Sequence, residues 1–229
     1  MWLTPGETAA LGLSVTIAAR SVVCSLPLAV VLAWALSRQR FAGRGLLDAV
    51  VHLPLVLPPV AIGYVLLLLF GMHGPIGSWL HRRFGVTLVF TRNGAALATA
   101  VMTFPLMVRA MRISLENVDR GLEDAARTLG AAGFDRFASI TVPLMLPGIL
   151  AGAVTAFSAA LGEFGAVITF VANIPGETRT LPLALYTALQ EPGGEHAAAR
   201  LATLSLALGL GGLLLSEWLA RRLRRILGR

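Results

Sequence analysis

Five apolar stretches, each near the ~20 residues a helix needs to cross hydrocarbon, constrain this chain more than any motif in it. They cover roughly residues 8–36, 47–70, 94–113, 145–170 and 198–219. In lipid a spanning segment has to satisfy its own backbone, so stretches of this kind read as transmembrane helices. Composition agrees. The 229 residues are 56% hydrophobic and 14% charged, with a mean hydropathy of +0.76, which places the chain among all-α integral membrane proteins. No internal repeat or low-complexity linker divides it. It therefore reads as one transmembrane domain over 8–220, with a structured loop at 119–143 and a basic tail at 221–229.

A pI near 11.3 would suit a nucleic-acid binder, but the cations are placed as a membrane protein places them. All 19 are Arg, and there is no Lys. Arg38, Arg40 and Arg44 follow the first stretch, while Arg109, Arg112, Arg120, Arg127 and Arg136 follow the third. Arg221, Arg222, Arg224, Arg225 and Arg229 follow the fifth, beside Trp218 as an interfacial anchor. Only Arg82, Arg83, Arg92 and Arg179 fall in the opposite loops. The positive-inside bias then puts the N-terminus outside and the C-terminus inside, with a lipid bilayer and no nucleic acid as the surroundings.

The missing Lys excludes an ordinary P-loop, whose Lys reaches the nucleotide phosphates. Any ATP used must bind a different polypeptide. Cys24 is the single Cys, so there is neither an internal disulfide nor a Cys-based zinc site. The start, Met1-Trp2-Leu3-Thr4-Pro5-Gly6-Glu7, lacks the basic lead of a cleaved signal peptide, and the first span is expected to stay.

The loop at 119–143 looks folded in its own right. Leu122, Ala125, Ala126 and Leu129 share one face of a helix at i, i+3, i+4 and i+7. Gly130 follows where a helix end favours positive φ. A second short helix would align Phe134, Phe137 and Ala138, and Pro143 is expected to stop it before the next span. This helical hairpin either packs beneath its own bundle or serves as a docking surface.

Other positions bear on how the spans are built and packed. Pro54, Pro58 and Pro59 in the second stretch interrupt the helical ladder repeatedly, and broken backbone at membrane depth has to face protein or water. A similar break is expected at Phe104-Pro105, and a kink at Pro27. His52, at the inner end of the second span, reads as interfacial rather than as a relay. Gly148 and Gly152 have the small-xxx-small spacing of a close helix contact. Arg20 is either intramembrane or near the outer interface, about 18 Å along the first helix by its rise. Glu163 is a carboxylate inside the fourth stretch, about 10 Å from its outer end by the same rise, and is read either as a gate or as a structural group. A Glu163–Arg20 pair is a further expectation. Thr155, Ser158 and Thr169 place hydroxyls in the fourth stretch. The stretch after Pro182 is too short to span and is expected to be re-entrant or to lie on the outer surface.

The segment Asp124-Ala125-Ala126-Arg127-Thr128-Leu129-Gly130, closed by Ile140-Thr141-Val142-Pro143, resembles the cytoplasmic coupling loop of ABC-importer permeases. That family pattern is E-A-A, three residues, G, nine residues, I-x-L-P. Asp124 and Val142 depart from it; Ala125, Ala126, Gly130, Ile140 and Pro143 match. The runs HLPLVLPPVAIGY, FPLMVRA, AARTLG, ITVPLMLPGI, GEFGAVITF, NIPGETRTLP and SEWLARR extend the resemblance over nearly the whole chain, to the permease subunit of bacterial molybdate ABC transporters.

That resemblance implies a type I ABC-importer permease fold in the inner membrane, working as a homodimer. Two cytoplasmic ATPase subunits and a periplasmic molybdate-binding protein complete the assembly, and ATP and Mg belong to the ATPase partner rather than to this chain. It implies that Asp124, Ala125, Ala126, Gly130, Ile140 and Pro143 form the ATPase-coupling loop, and that transport proceeds by alternating access. Pro58, Pro59, Thr155, Ser158, Glu163 and Thr169 are the candidates for path or gate. Sulfate and thiosulfate permeases share the architecture and remain the alternative. A gradient-driven secondary transporter would favour matched, interrupted halves, which are not visible. A membrane enzyme would need a motif such as H-E-x-x-H or G-x-S-x-G, and neither is present.

Overall fold

The computed structural model describes residues 3–226; Arg229, counted above among the inner-side arginines, and the rest of the tail beyond 226 lie outside them. Among the described residues every regular element is helical. Four helices are long and apolar enough to cross a membrane, and a bent pair makes a fifth if taken as one span.

Helix α1 (Pro5–Arg38) opens with a capping box. The Glu7 N–H donates to Thr4 Oγ1 (3.3 Å) and the Thr4 N–H to Glu7 Oε2 (2.7 Å), so two backbone donors left over at the helix start are satisfied. Its 34 residues run on through Pro27 as one element and reach well beyond the ~30 Å hydrocarbon thickness.

The second stretch is not one straight span. Helix α2 (Arg44–His52) passes into a single 3₁₀ turn, Leu53–Leu55, and then into α3 (Pro59–Phe70), with the two halves at 114°. The prolines account for the break. Pro59 pushes Pro58 into extended backbone (φ −56°, ψ 134°), and Pro59 itself starts α3, where its missing N–H does no harm.

Helix α4 (Pro75–Phe84) occupies the following loop, and α5 (Arg92–Glu116) is the third span. The break expected at Phe104-Pro105 does not occur. One proline removes one ladder bond, and the tight packing on either side, with Met107 and Val108 fully buried, holds the helix together. Three prolines in succession, as in 54–59, leave too little ladder to hold.

The hairpin consists of α6 (Arg120–Thr128) and α7 (Gly133–Arg136). Pro143 does not stop the second helix: the backbone stays helical from Gly133 to Leu161. A π turn over Phe137–Thr141 hands the chain from α7 to α8 (Val142–Leu161), and the Val142 N–H donates to the Phe137 carbonyl. Pro143 lies just after that π turn, whose widened ladder accommodates a residue without an N–H. At its other end α8 stops at Leu161, so the expected span over 145–170 is divided; α9 (Gly165–Val171) follows the interruption.

Helix α10 (Leu181–Gln190), the short apolar stretch, packs between α1 and α11 (Glu195–Ile226). Its first N–H, from Leu181, donates to the buried Ser14 Oγ of α1 (2.7 Å).

Helices α1, α5 and α8 form the central trio. One apolar cluster, at the hairpin end, buries Leu36, Met107, Met111, Leu115 and Met145. A second, towards the other end, gathers Ile17, Leu66, Val167 and Phe170. Gly148 and Gly152 do mark a close contact. A Cβ at Gly148 would sit 2.3 Å from Ser114 Cβ, and one at Gly152 would sit 3.2 Å from Ala110 Cβ.

Candidate functional site

The hairpin is built around its glycine. Asp119 caps α6, its Oδ1 accepting from the Gly121 N–H (2.8 Å). The helix ends in a Schellman turn: the Gly130 N–H donates to Arg127 O (3.1 Å) and the Ala131 N–H to Ala126 O (3.0 Å). Gly130 has φ +88°, and among the described residues no heavy atom beyond its own chain neighbours lies within 4 Å of where a Cβ would be. Glycine is therefore required by backbone conformation, not by crowding.

The apolar face of the hairpin is uncovered. Leu129 is 87% exposed, Phe134 77% and Leu122 47%. Ala125 is exposed and Ala126 half-buried, while Asp124 stands in solvent beside Arg127 (3.3 Å). Ile140 is half-buried in the π turn, and Pro143 is exposed. Water facing Leu129 and Phe134 is unfavourable, at roughly 25 cal/mol per Å² of apolar surface, so this face suits contact with another protein.

A group that the sequence reading did not single out holds the hairpin to the bundle. Arg38, the last residue of α1, has a side chain only 6% exposed. Its Nη2 donates to the carbonyls of Leu115 (3.1 Å) and Val118 (2.9 Å) at the end of α5, and its Nε to Glu123 Oε1 of α6 (3.2 Å). The same Glu123 oxygen accepts from Thr141 Oγ1 (3.1 Å). Trp34 of α1 adds an edge-on contact with Phe137, centroids 5.3 Å apart. No sequence pattern links residues 85 positions apart; Arg38 stands out in the sequence only as an orientation signal.

The proposed path residues fall into two places. Pro58, Pro59, Glu163 and Thr169 come together where α3 meets α9. A Cβ on Gly165 would lie 2.8 Å from Pro59 Cβ, and one on Gly63 would lie 2.8 Å from Thr169 Cβ. Glu163 is half-buried and its Oε1 accepts from the Ala166 N–H (2.9 Å), capping the start of α9. Thr155 and Ser158 lie apart, on α8, and a Cβ on Gly212 of α11 would meet Ser158 Oγ. Two of the hydroxyls are engaged within their own helices: Ser158 donates to Val154 O (2.9 Å) and Thr169 to Gly165 O (2.8 Å).

The expected Glu163–Arg20 pair is not formed. Arg20 Nη1 donates instead to Asn93 Oδ1 (3.3 Å) at the start of α5, at the end of the bundle away from the hairpin. Also at that end, Arg200 donates to Glu7 Oε1 (2.9 Å) and Arg92 to Gly176 O (2.7 Å).

Broken spans, short helices between them and an exposed hairpin at one end define a polytopic helical membrane protein among the described residues. Residues 25–225 match the family described as binding-protein-dependent transport system inner membrane component, and the chain belongs to that family. The molybdenum transport system permease protein ModB of Escherichia coli K12 is 56% identical to it over 229 residues, all of both chains. The sulfate transport system permease protein CysT of the same organism is 38% identical over 179 residues, 78% of this chain and 64% of that one. Among solved structures, a bacterial ABC transporter that imports the acidic polysaccharide alginate superposes with a TM-score of 0.75 at 16% identity. That match covers 96% of this chain and 80% of the other, and it shows that the two share a fold.

Proposed function

We propose that this chain is the permease subunit of an ATP-driven molybdate importer. In this reading two copies form the transmembrane channel, the whole of 8–220 acting as one domain. The N-terminus faces the periplasm, while the hairpin and C-terminus face the cytoplasm. ATP and Mg bind a separate ATPase subunit, and a periplasmic binding protein delivers the oxyanion. The observation that carries the cargo is the 56% identity to a molybdenum permease over all of both chains.

The ATPase would dock on the hairpin, through Asp124, Ala125, Ala126 and Gly130, with Ile140 and Pro143 forming its second arm. The uncovered face containing Leu129 and Phe134 supports this, as does the turn that only a residue tolerant of positive φ can make. Closure of the ATPase pair would displace the hairpin and reorient the spans. The anion would pass along the broken α3–α9 region, with Pro58, Pro59, Glu163 and Thr169 on one side and Thr155 and Ser158 on α8. Because Ser158 and Thr169 donate to their own helices here, they would have to turn towards cargo in another conformation. Sulfate is the second reading, favoured by the 38% identity to a sulfate permease.

Uptake of radiolabelled molybdate tests both, in a strain lacking its own permease and supplied with this chain, its ATPase and its binding protein. Competition by tungstate and not by sulfate is the expected result. Competition by sulfate at similar concentration moves the protein to the sulfate reading, and no uptake at all rejects both.

A further inference from the structure

We infer that Arg38, Glu123 and Thr141 form a mechanical link that carries displacement of the hairpin into α1, α5 and α8; the inference rests on the docking role given to the hairpin above. The argument starts from how the hairpin is attached. Sequence continuity ties α6 only to the end of α5, through Asn117–Asp119, and ties α7 only to α8. Neither tie reaches α1, and among the described residues the outward face of the hairpin is largely uncovered, with Leu129 87% and Phe134 77% exposed.

The Arg38 guanidinium supplies what is missing. It is nearly buried and donates in three directions, to Leu115 O, Val118 O and Glu123 Oε1. Of the two carbonyls, that of Leu115 belongs to the last turn of α5, where the helix dipole favours a cation, and that of Val118 to the short link that follows. The third is the carboxylate on α6, which also accepts a hydrogen bond from the Thr141 hydroxyl in the π turn before α8. One charged hub thus joins the ends of all three central helices to the docking helix. The geometry also gives it direction. Charge-assisted bonds to a planar, rigid guanidinium resist reorientation, so α6 cannot tilt without moving Arg38, and Arg38 cannot move without pulling on α1 and α5. The π turn lies in the same circuit, and such single-turn bulges inside α-helices occur frequently at functional sites.

Glu123 and Arg38 are therefore positioning residues. They touch neither cargo nor nucleotide, and their loss should separate ATP hydrolysis from transport instead of abolishing assembly. The measurement is made on the complete transporter in proteoliposomes, with molybdate-loaded binding protein. Molybdate uptake and ATP hydrolysis are recorded together, and the amount of assembled complex is quantified for each variant. Glu123→Ala should lower molybdate moved per ATP hydrolysed by more than fivefold, at unchanged complex per vesicle. Thr141→Val should lower the same ratio by about two- to threefold. The double variant should be no worse than Glu123→Ala, because both act through one carboxylate. Glu123→Asp, which restores the charge, should recover part of the ratio.

A ratio unchanged in Glu123→Ala overturns the link. So does a parallel fall of uptake and hydrolysis that tracks complex content, since that is the signature of a merely structural contact. Gly130→Asp, measured alongside, separates this failure from that of the docking reading. If Gly130→Asp still binds the ATPase and transports normally, docking itself is wrong; if it loses both while Glu123→Ala stays coupled, only the link is wrong.

Discussion

Gly165 of α9 and Pro59 of α3 meet so closely that a methyl group on Gly165 would stand 2.8 Å from Pro59 Cβ and 3.3 Å from the Val60 nitrogen. One turn further along α3 the relationship is repeated with roles exchanged: a methyl on Gly63 would stand 2.7 Å from the Ala166 carbonyl oxygen. Each helix thus lends a glycine to the other, and the broken second span is held against the interruption that follows α8. This contact gathers four of the six path candidates into one place.

Gly63→Ala should destabilise the α3–α9 contact more than Gly165→Ala, because backbone blocks it at Ala166, whereas Gly165 meets chiefly a proline ring carbon. Over-packing of this kind costs roughly 1–3 kcal/mol. Gly162→Ala is the control, since the nearest atom to its added Cβ would be 3.6 Å away. Thermal melting of the purified transporter should rank Gly162→Ala nearest to wild type and Gly63→Ala lowest. Equal melting of all three would mean that the two helices separate freely.

At Gly130 conformation and charge can be pulled apart. Among the described residues the open surroundings leave positive φ as the obstacle to a side chain, and a Cβ there costs roughly 1 kcal/mol. Asn and Asp are nearly isosteric and both tolerate this region better than other residues. Gly130→Asn should therefore retain most uptake, while Gly130→Asp, with a charge on the docking face, should lose most of it and co-purify with less ATPase. Equal behaviour of the two would remove charge at the docking face as a factor.

The sequence made the spans legible because apolar length is a local property, and it made the hairpin legible because capping and turn chemistry are local too. Gly130 at positive φ follows from its place after a periodic face. What was misread depended on neighbours far along the chain. Pro105 reads like Pro58 in isolation, yet α5 stays whole because α1 and α8 pack on both sides of it. Pro143 reads as a stop, but a π turn absorbs it. Arg38 carries no local mark of its partners, since Glu123 and the α5 carbonyls are brought to it only by the fold.

The start of α1 offers a separable pair of contributions. Glu7 accepts from the Thr4 N–H and from Arg200 of α11, with its side chain 7% exposed and that of Arg200 36%. Glu7→Gln keeps a carbonyl for the cap and loses the charge, and a partly exposed ion pair is worth about 1 kcal/mol or less. Glu7→Ala loses the cap as well, roughly another 1 kcal/mol. Melting should fall in the order wild type, Gln, Ala, and the step from wild type to Gln should shrink in high salt. A Gln step that is insensitive to salt would show that Arg200 contributes through packing alone.

Arg20 and Glu163 provide the sharpest test of whether the two charges act independently. The sequence suggests that these opposite charges pair, yet each is engaged elsewhere: exposed Arg20 with the Asn93 side-chain amide oxygen Oδ1, Glu163 with the backbone of α9. Removing one charge then leaves the other's partner in place, so neither single change should expose an unpaired group at the second site. Arg20→Gln keeps a donor for Asn93, and Glu163→Gln keeps an acceptor for the Ala166 N–H, so both variants should insert and assemble. Sites without shared partners combine additively within about 0.5 kcal/mol. The uptake rate of the double variant should accordingly equal the product of the two fractional rates, within about twofold. A double variant that transports better than either single one would mean that the two charges do meet during the transport cycle, in a conformation other than this one.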